Sequence, residues 1–124
     1  MPNLKRLKFF DKDPIEWTGN NQLHDFYRSL NLLRKQHPAI NTASATQPIR
    51  IATTQNDQVF AFLRRYENRQ LLVILNLSPQ PLAIQLPGGQ VQGTFTNLLD
   101  ASSIFITSQL TIDLKAWDYL VLTN

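Results

Sequence analysis

The chain has 124 residues, enough for one domain or for one small domain with an appendage. It is 43% hydrophobic and 17% charged, a globular composition that excludes wholesale disorder, and no apolar run reaches the roughly 18 residues of a membrane helix, so no membrane partner is expected. The net charge of +3 is scattered apart from Lys5, Arg6 and Lys8, far short of a basic stripe with interleaved aromatics, so no nucleic-acid partner is expected either.

Residues 1–19 contain FFDKDPIEW, a mixed aromatic and acidic stretch broken by Pro14, which reads as an irregular loop anchored by Phe9, Phe10 and Trp17. Asn20 or Asn21 then suits a helix N-cap, because an asparagine oxygen accepts a bond from a free N–H of the first turn. Leu23, Phe26, Tyr27, Leu30, Leu33 and His37 follow at helical spacing and predict one apolar stripe. Arg34 and Lys35 sit in the last turn, where cations complement the helix dipole. Pro38 disfavours helical geometry at His37, so the helix should stop there.

After Ala39 the period changes. NTASATQP, residues 41–48, reads as a linker, and β-rich runs between turn residues succeed it. Ile49 to Thr53 leads into a Gln55-Asn56-Asp57 turn. Val59 to Tyr66 sets Phe60 and Phe62 on one face and Ala61 and Leu63 on the other. Beyond Glu67-Asn68-Arg69, the nearly continuous run Leu71 to Leu77 predicts a strand buried on both faces. Leu82, Ile84 and Leu86 alternate with polar or small neighbours, as do Val91, Gly93 and Phe95, with Gly93 placed as a bulge. Ile104 to Ile106 is short, Leu110, Ile112 and Leu114 alternate cleanly, and Trp117, Tyr119 and Val121 oppose Asp118, Leu120 and Leu122. About eight short strands at this spacing predict a mainly β fold, an antiparallel sandwich of Greek-key type preceded by one amphipathic helix. The division follows at 1–40 and 41–124.

Chemistry is sparse. Glycoside hydrolysis needs two carboxylates, roughly 5 Å apart in the retaining mechanism, and only Asp11, Asp13 and Glu16 cluster in sequence. A solvated acidic loop explains them better than an acid/base pair. A calcium loop counted from Asp11 would place Glu16 where glycine is needed and Gln22 where a bidentate acid is needed. His24 and His37 lie too far apart to share a helix face as ligands. With no cysteine, thiolate metal sites and disulfides are excluded. No catalytic, metal or cofactor-binding residue is therefore assigned, and no cofactor. Asn76-Leu77-Ser78 matches a glycosylation triplet but ends a buried strand. Trp17, Tyr66, Trp117 and Tyr119 are the aromatics suited to stack on a sugar ring, against core or interface packing as the commoner use of such side chains.

These residues resemble the C-terminal end of the α-amylase family of glycoside hydrolases, the group of α-amylases, neopullulanases and cyclomaltodextrinases. The family's closing barrel helix, F-Y-x-x-L-x-x-L-R-K-x-H-P-A, is matched by Phe26, Tyr27, Leu30, Leu33, Arg34, Lys35, His37, Pro38 and Ala39. Phe10, Asp11, Ile15 and Trp17 are similar to the segment before it. Val59, Ala61, Phe62 and Arg64 fit the V-x-A-F-x-R strand that opens the C-terminal sandwich. Asn76, Leu77 and Ser78 fit the next strand end, and Trp117, Tyr119, Val121 and Leu122 the last strand. No position matches the family's catalytic aspartates and glutamate.

The resemblance implies a non-catalytic region that packs on the missing (β/α)8 barrel of an enzyme acting on α-glucans such as starch and maltooligosaccharides. The parent would be bacterial; the absence of cysteine fits an intracellular protein as well as one exported to the periplasm, cell surface or medium, and MPNLKRLKFF itself has no signal-peptide core. Without its barrel, the stripe Leu23, Phe26, Tyr27, Leu30 and Leu33 is expected to dock on the sandwich, self-associate or move. An α-glucan-binding module and an independent protein-interaction domain are the alternatives.

Overall fold

A computed structural model describes Phe10, Gly19 and residues 21–41 and 47–124; Trp17, Asn20 and the acids Asp11, Asp13 and Glu16 lie outside the described residues. Two helical segments, α1 (His24–Gln36) and α2 (Pro38–Asn41), precede eight strands: β1 (Ile49–Ile51), β2 (Val59–Tyr66), β3 (Arg69–Asn76), β4 (Leu82–Ile84), β5 (Gly93–Asn97), β6 (Ser103–Ile106), β7 (Ile112–Leu114) and β8 (Tyr119–Thr123). Antiparallel pairing builds a six-stranded sheet in the order β1-β2-β3-β8-β5-β6 and a two-stranded sheet of β4 and β7. The chain leaves the large sheet for β4, returns for β5 and β6, leaves again for β7, and ends in β8 between β3 and β5.

The core lies between the two sheets. Leu63, Leu72, Ile74, Phe95, Ile106 and Leu122 of the large sheet meet Ile84, Ile112 and Leu114 of the small one, all essentially removed from water. Each such side chain contributes about 1.5–3 kcal/mol by burial, and the period-2 alternation of the strands puts them on one face. The strand β3 runs through the middle, paired in full register with β2 from Val59↔Asn76 to Tyr66↔Arg69, and on its other side with β8. Leu72 and Ile74 point inward. Leu71, Val73 and Leu75 point outward, beneath the helices, which is why the run is apolar at almost every position. Leu77 has left the strand and is 59% exposed.

The outer face is covered by a second cluster, in which Leu33, Ala39 and Ile40 pack on Leu71, Val73, Val121, Tyr66 and Leu98. Helix α1 nonetheless contains no fully buried residue. Its expected single stripe is divided: Phe26, Leu30 and Leu33 face the sheet, whereas Leu23 and Tyr27, at 45% and 54% exposure, do not.

Several local expectations are corrected. Asn21 does not cap α1 with its side chain; its backbone carbonyl accepts the His24 N–H at 2.9 Å, and the N-cap residue, Leu23, makes no side-chain bond. β1 stops at Ile51 because Thr53 is taken into the following turn, where its N–H donates to Asn56 Oδ1 at 2.9 Å and its hydroxyl accepts from Gln55 N–H. Gly93 pairs in unbroken register, Gly93↔Ile106 to Thr96↔Ser103; its φ of +116° explains the glycine without an extra residue. Trp117 belongs to the turn before β8, with φ +59°.

The proline stop is more elaborate than expected. His37 turns extended (φ −84°, ψ 119°), as Pro38 requires, while its N–H still closes α1 on Leu33 O at 2.8 Å. Its carbonyl then accepts from Ile40 and Asn41 N–H, and its Nδ1 accepts from Ala39 N–H at 3.3 Å. Thus His37 ends one helix and caps the next, with Pro38 in the first-turn position where its missing N–H does no harm. Asn41 Nδ2 and an Arg34 guanidinium nitrogen donate across the joint to Lys35 O and Ile40 O.

Candidate functional site

The outward apolar rows of the large sheet follow from its register. Phe60 lies opposite Leu75 and Leu75 opposite Tyr119; Phe62 packs beside Phe60 with ring centroids 5.8 Å apart, and Arg50 lies over the Phe60 ring at 5.9 Å. Helix α1 covers part of this face, with Phe26 edge-on to Tyr119 at 5.6 Å. Where the helix lifts away, a groove of about 440 Å³ opens between Phe26, Leu30, Leu75, Leu77, Trp117 and Tyr119. Two of the sequence-named aromatics, Trp117 and Tyr119, therefore meet at one site, 63% and 38% exposed. Tyr66 packs elsewhere, in the cluster around Ala39 and Leu71, and Trp17 lies outside the described residues.

The mount beneath Trp117 is rigid. Lys115 N–H and Tyr119 N–H donate to the two oxygens of Asp118 at 3.0 and 2.9 Å, and Trp117 N–H donates to Ser78 O at 3.1 Å. Asn76, only 2% exposed, completes it. Its amide donates to Gln80 O and Lys115 O at 2.8 and 2.7 Å, and its Oδ1 accepts from Ser78 N–H and Oγ–H at 3.1 and 2.8 Å. A buried amide with both hydrogens engaged presents no glycan acceptor. The Asn-Leu-Ser triplet instead ties the end of β3 to the 115–118 turn, and holds Leu77 and Trp117 outward on either side.

Left-handed backbone at a tryptophan costs roughly 1–2 kcal/mol that glycine would not incur. Here it is adopted for a side chain that remains mostly in water, next to an exposed leucine. Strain of this kind, fixed by a hydrogen-bonded frame, marks functional positions more often than packing ones, and contiguous exposed apolar surface marks contact with another surface. The groove's polar neighbours, Asn76 and Asp118, are already engaged, so its walls offer apolar contact rather than hydrogen-bond readout.

Ionisable groups add little chemistry. No group of three His, Cys, Asp or Glu side chains able to hold a metal occurs among the described residues, and the acids Asp25, Asp57, Glu67, Asp100, Asp113 and Asp118 are dispersed over the fold. His24 is exposed, its Nδ1 3.5 Å from Asp25 Oδ1. Hydrogen bonds from Ser102, side chain first and then backbone, hold the exposed Asp100 carboxyl below its usual range.

Sequence reasoning located Trp117 and Tyr119 but missed Phe26 and Leu77 as their neighbours. The signal for Leu77 was the apolar residue between two polar ones at a strand end, which only a bent backbone turns outward.

Residues 49–121 match the family model of the maltogenic amylase C-terminal domain. Among solved structures, a noncanonic maltogenic α-amylase, AmyB from Thermotoga neapolitana, superposes with a TM-score of 0.78 at 17% identity, over 97% of this chain and 30% of that one. An α-amylase from Anoxybacillus gives 0.71 at 18% identity, over 88% and 24%, and AmyP in complex with maltose gives 0.68 at 17%, over 83% and 20%. The chain thus spans less than a third of the length of each. No curated protein matches it in sequence.

Proposed function

Because the chain belongs to the maltogenic amylase C-terminal domain family, a non-catalytic part of amylase-family enzymes, we propose that residues 41–124 pack on and stabilise a (β/α)8 catalytic barrel, and that residues 1–40 are that barrel's last loop and helix. The enzyme so completed would hydrolyse α-glucans, with its catalytic carboxylates on barrel strands outside these 124 residues. The observation that carries the proposal is the two-sided apolar surface around α1. One side, Phe26, Leu30 and Leu33, holds the sheet; next to it Leu23 and Tyr27, at 45% and 54% exposure, are bare. A helix wedged between two bodies needs both faces. Without the barrel, the bare face would pair with a second copy of the chain.

Trp117→Asn tests the packing in two contexts. In the 124-residue chain it relieves left-handed strain and removes a side chain that packs on little, so the melting temperature should hold or rise. In the barrel-bearing polypeptide the same substitution should destabilise by about 3 kcal/mol, the scale of a lost buried aromatic. Equal effects in both contexts would overturn the packing role. A second reading, an α-glucan stacked on Trp117 and Tyr119, is favoured by the exposure and rigid mount of Trp117. Retardation of the chain by maltooligosaccharides, lost in Trp117→Asn, would select it.

A further inference from the structure

His37 is used twice by the backbone, yet its remaining ring nitrogen is unused. The residue is 4% exposed. Its Nδ1 accepts the Ala39 N–H, which places the ring proton on Nε2. That Nε2 is fully buried and has no hydrogen-bond partner among the described residues. An unmatched buried donor is rare and costly, so a partner supplied from outside is the economical explanation.

What lies beside it indicates the partner's chemistry. His37 lines a cavity of about 290 Å³ between the last turns of α1 and the large sheet, together with Ser29, Gln36, Arg69 and Leu98. Arg69 opens β3 at the sheet's rim. In the 124-residue chain it donates through Nε to a main-chain carboxylate oxygen of the last residue, Asn124, at 2.6 Å, and its two terminal nitrogens make no hydrogen bond among the described residues. Ser29 is satisfied locally, donating to Asp25 O at 2.9 Å. No Asp or Glu among the described residues lines the cavity. The lining therefore offers the terminal edge of a guanidinium and a neutral imidazole N–H, with no side-chain carboxylate among the described residues. Burial, and then the Arg69 charge, hold His37 below its ordinary pKa, so the imidazole meets the site as a neutral donor.

We propose that this cavity is a carboxylate-binding site, in which Arg69 grips the anion and His37 Nε2–H donates to it from the inner wall. A planar carboxylate matches the free edge of a guanidinium and supplies the acceptor that Nε2 lacks. Its source is either a free small carboxylate or an Asp or Glu side chain of an adjoining protein surface. The site lies apart from the Trp117 groove and does not depend on what fills that groove.

The test is an acetate titration of the 124-residue chain, followed by NMR at the His37 ring, with sodium chloride at matched ionic strength as control. Acetate should produce a saturable shift at the His37 ring resonances, absent with chloride, and Arg69→Gln should abolish it while leaving the amide spectrum folded. A shift that does not saturate, that chloride reproduces, that Arg69→Gln retains, or that phosphate but not acetate produces would overturn the proposal. Repeating the titration on the barrel-bearing polypeptide separates the sources. A His37 signal already at the bound position and insensitive to acetate identifies a protein carboxylate. One that still titrates identifies a free ligand.

Discussion

At the level of single residues, the polar side chains inside this fold do more to define its shape than their number suggests. Asn76 meets four hydrogen-bonding groups through one amide and so fixes a corner that apolar packing alone would leave loose. His37 is the second case, and its burial has a pH consequence. Its folded pKa lies below the ordinary 6.5, because burial disfavours the charged ring and Arg69 adds repulsion. Below 6.5 the unfolded chain takes up the proton first, so its contribution to stability is complete above that pH and is lost as pH falls toward the folded value. Thermal melts of the isolated chain should show this loss on acidification, and His37→Gln should reduce its slope. An unchanged slope would mean that other groups govern the acid limb. From sequence, His37 was legible as a helix stop, because proline restricts its predecessor. Its capping bond and unused nitrogen were not, since both depend on where Ala39 and the sheet come to lie.

Elements were legible to the degree that burial enforced a period. The partial alternation of Val59 to Tyr66, and the doubly apolar run from Leu71, read correctly because each face of β2 and β3 meets a different layer. Val91 misled: it is buried at 1% exposure, yet precedes β5 in irregular backbone, where burial carries no strand signal. Helix α1 looked strong in sequence, but its described contact with the sheet buries none of its residues fully. Local stability should follow. Amide hydrogen exchange on the isolated chain is expected to be fastest in α1 among the regular elements and slowest in β3, which is paired on both sides. Comparable protection of α1 and β3 would show that the helix is held as firmly as the core.

For the molecule as a whole, the order of segments was recognisable from the F-Y-x-x-L-x-x-L-R-K-x-H-P-A helix followed by the sandwich motifs, whereas the exposed apolar face was not. That face is assembled from Phe26, Leu77, Trp117 and Tyr119, residues that no local pattern connects. Its exposure sets the expected behaviour in solution. Sedimentation of the 124-residue chain should show association that grows with concentration, and Tyr27→Lys, which places a charge on the bare side of α1, should weaken it. A strictly monomeric chain at all concentrations would argue against the use of this side as a contact.

The joint at His37 has one more consequence, for how such proteins exchange parts. The covalent boundary suggested by the 41–48 segment lies after α2, but the packing boundary runs through α1: Ala39 and Ile40 are committed to Leu71 and Val121, while Leu23 and Tyr27 are not. A recombination that joined one enzyme's barrel to another's sandwich at the linker would separate Ala39 from the sheet it was shaped against. Exchanges that keep residues 37–41 with their own sheet should yield soluble chimaeras more often, so ancestral crossovers are expected inside the helix rather than at the loop.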